Sequence, residues 1–91
     1  MSQNGTKTGT YANAQEKLID LSGADGIAPT ASVSIFTTGD CTVEVTNESD
    51  VDLANIWIPC TLTNNACSVT GPITGVRITG TGDGSYSVRA L

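Results

Sequence analysis

Residues 70–91 read TGPITGVRITGTGDGSYSVRAL, and their strict alternation constrains the fold more than any other feature of the chain. Val76 and Ile78 share one parity in a run over 75–79, and Tyr86, Val88 and Ala90 share one in a run over 85–91. Successive side chains of a strand point to opposite faces, so a period of two means one buried face and one wet one. Arg77 and Arg89 fall on the opposite parity to the aliphatics and are expected to point outward. Between the runs lies Gly80-Thr81-Gly82-Asp83-Gly84. A Gly/Asp cluster between two alternating runs predicts a β-hairpin.

The pattern recurs upstream. Pro29 opens a segment in which Ala31, Val33 and Ile35 alternate with Ser32, Ser34 and Phe36. After a turn at 37–40, Cys41, Val43 and Val45 alternate with Thr42, Glu44 and Thr46, which predicts a second hairpin. Residues 55–62 (NIWIPCTL) are the most apolar run, with Ile56, Ile58 and Cys60 on one face and Trp57 on the other. Pro59 cannot donate to a ladder, so this strand belongs at an edge or carries a bulge. Trp57 is read either as a plug for a core short of aromatics or as an exposed contact residue. Residues 16–21 (EKLIDL) suit a short helix or a first strand, and the strand is preferred in a chain otherwise all β. A stop follows at 22–26, a turn at 63–66 and a short strand at 67–70, while Gly75 suggests a bulge. The expected architecture is all-β, a small antiparallel β-sandwich or barrel of about six to seven strands joined as a meander or Greek key.

Residues 1–15 lack this alternation and hold no large aliphatic beyond Met1. They are expected to form an extended N-terminal arm ahead of a sandwich domain at 16–91; fully extended, the arm would reach about 50 Å. One reading is a loose terminus. The other is a tether that orders on a neighbouring subunit, with Tyr11 as its anchor and Thr6, Thr8, Thr10 and Gln15 as further contacts.

Composition narrows the function. Lys and Arg total 4 against 9 Asp and Glu, a net charge of −5, and the four cations form no run. Nucleic acid is therefore not an expected partner, because a phosphate backbone takes several neutralising contacts. No apolar run is long enough to span a bilayer, and no signal-peptide core is present, so cytoplasmic synthesis is expected. Without histidine there is no Ser/His/Asp or Cys/His arrangement, and the carboxylates sit mostly in turns. Residues 80–84 lack the third glycine at the required spacing and the following helix of a phosphate-binding loop, and 47–52 (NESDVD) lacks the ligand order of a calcium loop. Cys41, Cys60 and Cys67 are one ligand short of a tetrahedral zinc site. A Cys60–Cys67 bridge could close the loop between two strands, whereas cytoplasmic synthesis favours three buried thiols. No enzyme activity, cofactor or metal is expected.

The stretch 68–78 (SVTGPITGVRI), followed by a Thr/Gly-rich turn and Tyr86-Ser87-Val88, resembles small bacteriophage virion proteins with Thr- and Gly-rich strands. The upstream hairpin extends the resemblance over about residues 30–91, and the long N-terminal segment and the three cysteines depart from it. The resemblance implies a capsid decoration, or cement, protein. Such a protein would be a β-sandwich knob, a trimer by preference, bound to the major capsid protein on the outer head surface between coat subunits. Its contact candidates would be the arm, Trp57, Arg77 and Arg89. A tail or head-tail structural component, or a module for carbohydrate or a host surface, are the alternatives.

Overall fold

The computed structural model describes residues 6–21 and 32–90. They form β1 (Thr6–Tyr11), β2 (Glu16–Asp20), β3 (Ser32–Thr38), β4 (Cys41–Thr46), β5 (Ile58–Cys60), β6 (Ala66–Thr70), β7 (Gly75–Gly80) and β8 (Gly84–Ala90), with a short 3-10 turn at Val51–Leu53. Two four-stranded antiparallel sheets result: β1-β8-β3-β6, the first sheet, and β2-β7-β4-β5, the second. The all-β sandwich is thus as expected, with eight strands among the described residues rather than six or seven. The stop expected at 22–26, the start of the Pro29 segment and residues 1–5 and 91 lie outside the described residues.

The pairing follows a nested rule. β1 pairs with β8, β2 with β7, β3 with β6 and β4 with β5, all antiparallel. The chain is one long antiparallel ribbon, doubled back at residues 47–57 and rolled so that its rungs fall alternately in the two sheets. The pairs β3–β8 and β4–β7 then complete each sheet. Eight strands wound this way make the strand order of a jelly roll.

This order overturns both expected hairpins. β3 and β4 lie in different sheets, and so do β7 and β8. In a β3–β4 hairpin Thr38 would face Cys41; instead Thr38 is opposite Ser85 and Cys41 is opposite Gly80. Residues 39–40 and 81–83 are corners between sheets, tied together by the Thr81 amide donating to the Asp40 carbonyl at 3.0 Å. The reason is physical. Period two fixes which residues face inward, but not which strand becomes the neighbour. Gly75 also marks no bulge, since it stays in register with Asp20 and Thr46.

Residues 6–15 are not an arm. β1 lies along β8 from Thr6 opposite Arg89 to Tyr11 opposite Gly84, and Tyr11 is only 3% exposed. Threonine is β-branched and suits a pleated strand, and an edge strand needs only a small inner apolar anchor. Tyr11 supplies it. The turn that follows is fastened by the Ala14 amide donating to the Gly80 carbonyl and the Gly80 amide donating to the Gln15 carbonyl. The core between the sheets comprises Tyr11, Ile19, Leu21, Val33, Ile35, Val43, Val45, Ile73, Val76, Ile78, Val88 and Ala90. Val33, Ile35, Val43, Val45, Val76, Ile78, Val88 and Ala90 follow the inward parity identified by alternation, whereas Tyr11, Ile19, Leu21 and Ile73 do not come from it.

Candidate functional site

The end of the ribbon, residues 47–57, folds back over the outer face of the second sheet rather than into solvent. Val51 is buried there, and a Cβ at Gly75 would lie 2.7 Å from its Cγ1, so Gly75 leaves the space that Val51 fills. One Glu48 carboxylate oxygen accepts from the Asn55 and Ile56 amides, each at 2.6 Å, and the Thr74 hydroxyl donates to the Glu48 carbonyl at 2.6 Å. Glu48 therefore pins its own loop. The same folding leaves large aliphatics outside: Leu53 is 73%, Ile56 65% and Ile58 57% exposed. Ile56 and Ile58 form one wall of a groove of about 420 Å³ whose other side is Val69, Pro72 and Ile73. It opens between β5 and β6, the edge strands of the two sheets. Aliphatic side chains left in water favour burial against a partner by roughly 25 cal/mol per Å².

A second surface lies on the outer face of the first sheet. Register places Thr6, Arg89, Ser34 and Ser68 in one row, and Thr8, Ser87, Phe36 and Ala66 in the next. A third row holds Thr10, Ser85 and Thr38, with the Thr38 and Ser85 hydroxyls 2.8 Å apart. Phe36, 59% exposed, rises from this field of hydroxyls and borders a concavity of about 290 Å³ shared with Thr6, Ser34, Ser87 and Arg89.

The expected contact residues do not form one patch. Thr6, Thr8, Thr10 and Arg89 are exposed on the first sheet. Tyr11 is an internal anchor: it is buried and its hydroxyl donates to the Thr38 carbonyl. Gln15 caps its own turn, its side-chain oxygen accepting from the Ala12 amide at 3.0 Å. Arg77 does point outward, on the opposite face of the sandwich, but its guanidinium is engaged there. Its Nε and Nη2 donate to one Glu44 oxygen at 2.9 and 2.8 Å, Glu16 lies 3.9 Å away, and Trp57 stacks 4.4 Å from the guanidinium carbon. Trp57 is half-buried on that arginine, with its indole N–H donating to the Ala54 carbonyl at 3.2 Å. It is therefore neither a core plug nor a free contact. A tryptophan over an arginine gains both apolar contact and cation–π attraction.

The three thiols lie free and half-buried at the rim of the core. Burial pushes Cys60 up and Cys67 up to about 12, and a thiol–thiol hydrogen bond between them lowers Cys60 while raising Cys67 further. Tyr11 is likewise raised to about 12 by burial and by its hydrogen bond with Cys41. Among the described residues no group of three or more Cys, Asp or Glu is arranged to hold a metal ion, and no helix is long and apolar enough to cross a membrane.

Sequence reasoning missed Ile56 and Ile58 as surface residues, because an apolar run near a proline reads as core, and it assigned Leu53 no role. Phe36 carried a usable signal, its parity being opposite to Val33 and Ile35. Compared with protein-family models, curated proteins and solved structures, the chain matches none.

Proposed function

We propose that this chain is a structural, non-enzymatic docking module, a phage capsid decoration protein that seats on coat subunits of the head and stabilises the shell. The observation that carries the reading is the pair of exposed aliphatics Ile56 and Ile58 lining the β5–β6 groove, with Leu53 exposed on the same loop. A pinned loop that holds large aliphatics outward suits a protein partner, since little ordering entropy remains to be lost on binding. The sequence resemblance to decoration proteins supplies the partner, the major capsid protein. The jelly-roll strand order agrees with a fold shared by viral capsid domains, an argument by analogy only. Repeated copies on a lattice would compensate for a modest single contact, with a trimer the favoured state.

The test is co-sedimentation with shells assembled from a phage major capsid protein. Ile56→Asp and Ile58→Asp should each leave the melting curve within about 0.5 kcal/mol of the parent, as exposed substitutions do, while abolishing sedimentation with shells. Undiminished binding by both variants would overturn the reading. A carbohydrate or host-surface module is the second reading, and Phe36 beside Arg89 and a field of hydroxyls favours it. An aromatic face takes the apolar side of a sugar ring while hydroxyls and a guanidinium meet its polar edge. Glycan binding lost in Phe36→Ala and retained in Ile56→Asp would select it.

A further inference from the structure

Cys60 and Cys67 sit on the edge strands of opposite sheets, β5 and β6. Cys60 is in register with Val43 and Cys67 with Ile35, and both partners are buried. Directly opposed residues of an antiparallel pair share a face, so both thiols project into the space between the sheets from its open side. The connection between them turns sharply. Asn64 and Asn65 both have positive φ, 53° and 64°, a conformation that asparagine tolerates in tight turns. Thr63 and Ala66 exchange two backbone hydrogen bonds across it, at 2.8 and 3.1 Å. The reversal brings Cys60 and Cys67 together at the open edge, close enough that each thiol perturbs the other's titration, while Cys41 acts on both Cys67 and the Tyr11 hydroxyl.

We propose that Cys60 and Cys67 are a disulfide-forming pair that fastens the open edge of the sandwich, with Cys41 left as a thiol. The oxidant is a low-molecular-weight disulfide. One cysteine loses its proton and attacks a sulfur of the reagent, releasing the first reagent thiol and leaving a mixed disulfide. The second cysteine, deprotonated in turn, displaces the other reagent thiol and closes the Cys60–Cys67 bond. Two protein thiols are oxidised, one reagent disulfide is reduced to two thiols, and the two protons leave on them. The position gives the bond a purpose. β5 is three residues long and contains Pro59, so few ladder bonds hold that edge. A covalent link there joins the second sheet to the first.

The experiment treats the reduced, full-length protein with oxidised glutathione, caps remaining thiols with iodoacetamide, and maps the product by chymotryptic digestion and fragmentation. The expected product is a monomer lighter by two hydrogens before capping, with Cys60 joined to Cys67 and Cys41 alkylated. Its melting temperature should be raised, and reduction should reverse the rise. Cys41→Ser should give the same link and the same rise. A bond that includes Cys41, a disulfide-linked dimer, or three alkylated cysteines overturns the proposal, as does an unchanged melting temperature of the bridged form. Because the mapping is done on the unsubstituted chain, it decides the pairing whether or not Cys60→Ser and Cys67→Ser fold.

Discussion

At single positions, close approach of backbone and side chain explains residues that composition made look permissive. A Cβ at Gly84 would run into the Thr38 carbonyl oxygen and the Tyr11 hydroxyl, whereas one at Gly82 would meet nothing within 4 Å. Gly84→Ala should therefore cost about 3 kcal/mol or more, at the upper end of overpacking, and Gly82→Ala should change stability by less than about 0.5 kcal/mol. Urea midpoints of the two variants check this, and equal midpoints would contradict the geometry. Tyr11 and Cys67 make the fold sensitive to alkali. Both are raised to about 12, from ordinary values of 10.0 and 9.0, chiefly by burial, so the folded state favours their neutral forms. The stability they contribute is fully present below about pH 9 and is lost as pH rises towards 12. Urea midpoints measured across that window should fall steadily, and less steeply in Tyr11→Phe; a flat profile would remove the argument.

Among the elements, the apex segment 47–57 shows where local reading stops. Inward and outward residues of β3, β4, β7 and β8 were legible from parity, and Pro59 correctly placed its strand at an edge. The apex was not legible, because Glu48 acts on amides seven and eight positions away and Val51 rests on Gly75, contacts with no local periodicity. Nor could parity show that Trp57 would stack on Arg77. Glu48→Ala removes two short hydrogen bonds to a carboxylate, bonds of a kind worth about 1.5–3 kcal/mol each when well shielded. Here they are exposed, so the expected loss is about 1–2 kcal/mol in total. The loss should be local, with faster amide exchange at Asn55 and Ile56 and protection kept in β7 and β8. Uniformly faster exchange would mean that the loop is integral to global stability, and unchanged exchange that Glu48 does not pin it. The same variant bears on function, since Leu53, Ile56 and Ile58 are presented by this segment and its immediate continuation.

For the molecule as a whole, the nested pairing sets an order of assembly. β4–β5 closes the shortest loop, β3–β6 and β2–β7 enclose it, and β1–β8 joins the two ends of the described chain. Loop-closure entropy grows with separation, so pairing that spreads from the apex outward meets the smallest cost at each step. This inverts the expectation drawn from a free arm: β1 is integral to the sandwich, yet its contacts form last. Such non-local β topology should fold in milliseconds to seconds, the range of about 10⁻³ to 1 s found for β-sandwiches. Substitutions near the apex should act on folding and those in β1 on unfolding. Val45→Ala, which removes buried volume beside β5, should slow refolding in stopped-flow measurements. Tyr11→Phe, which removes the hydrogen bond to Thr38, should leave refolding unchanged and speed unfolding. If Tyr11→Phe instead slowed folding as much as Val45→Ala, relative to the stability each removes, closure of the ribbon's ends would belong to the nucleus. Assembly outward from the apex would then be wrong, although the jelly-roll strand order would stand.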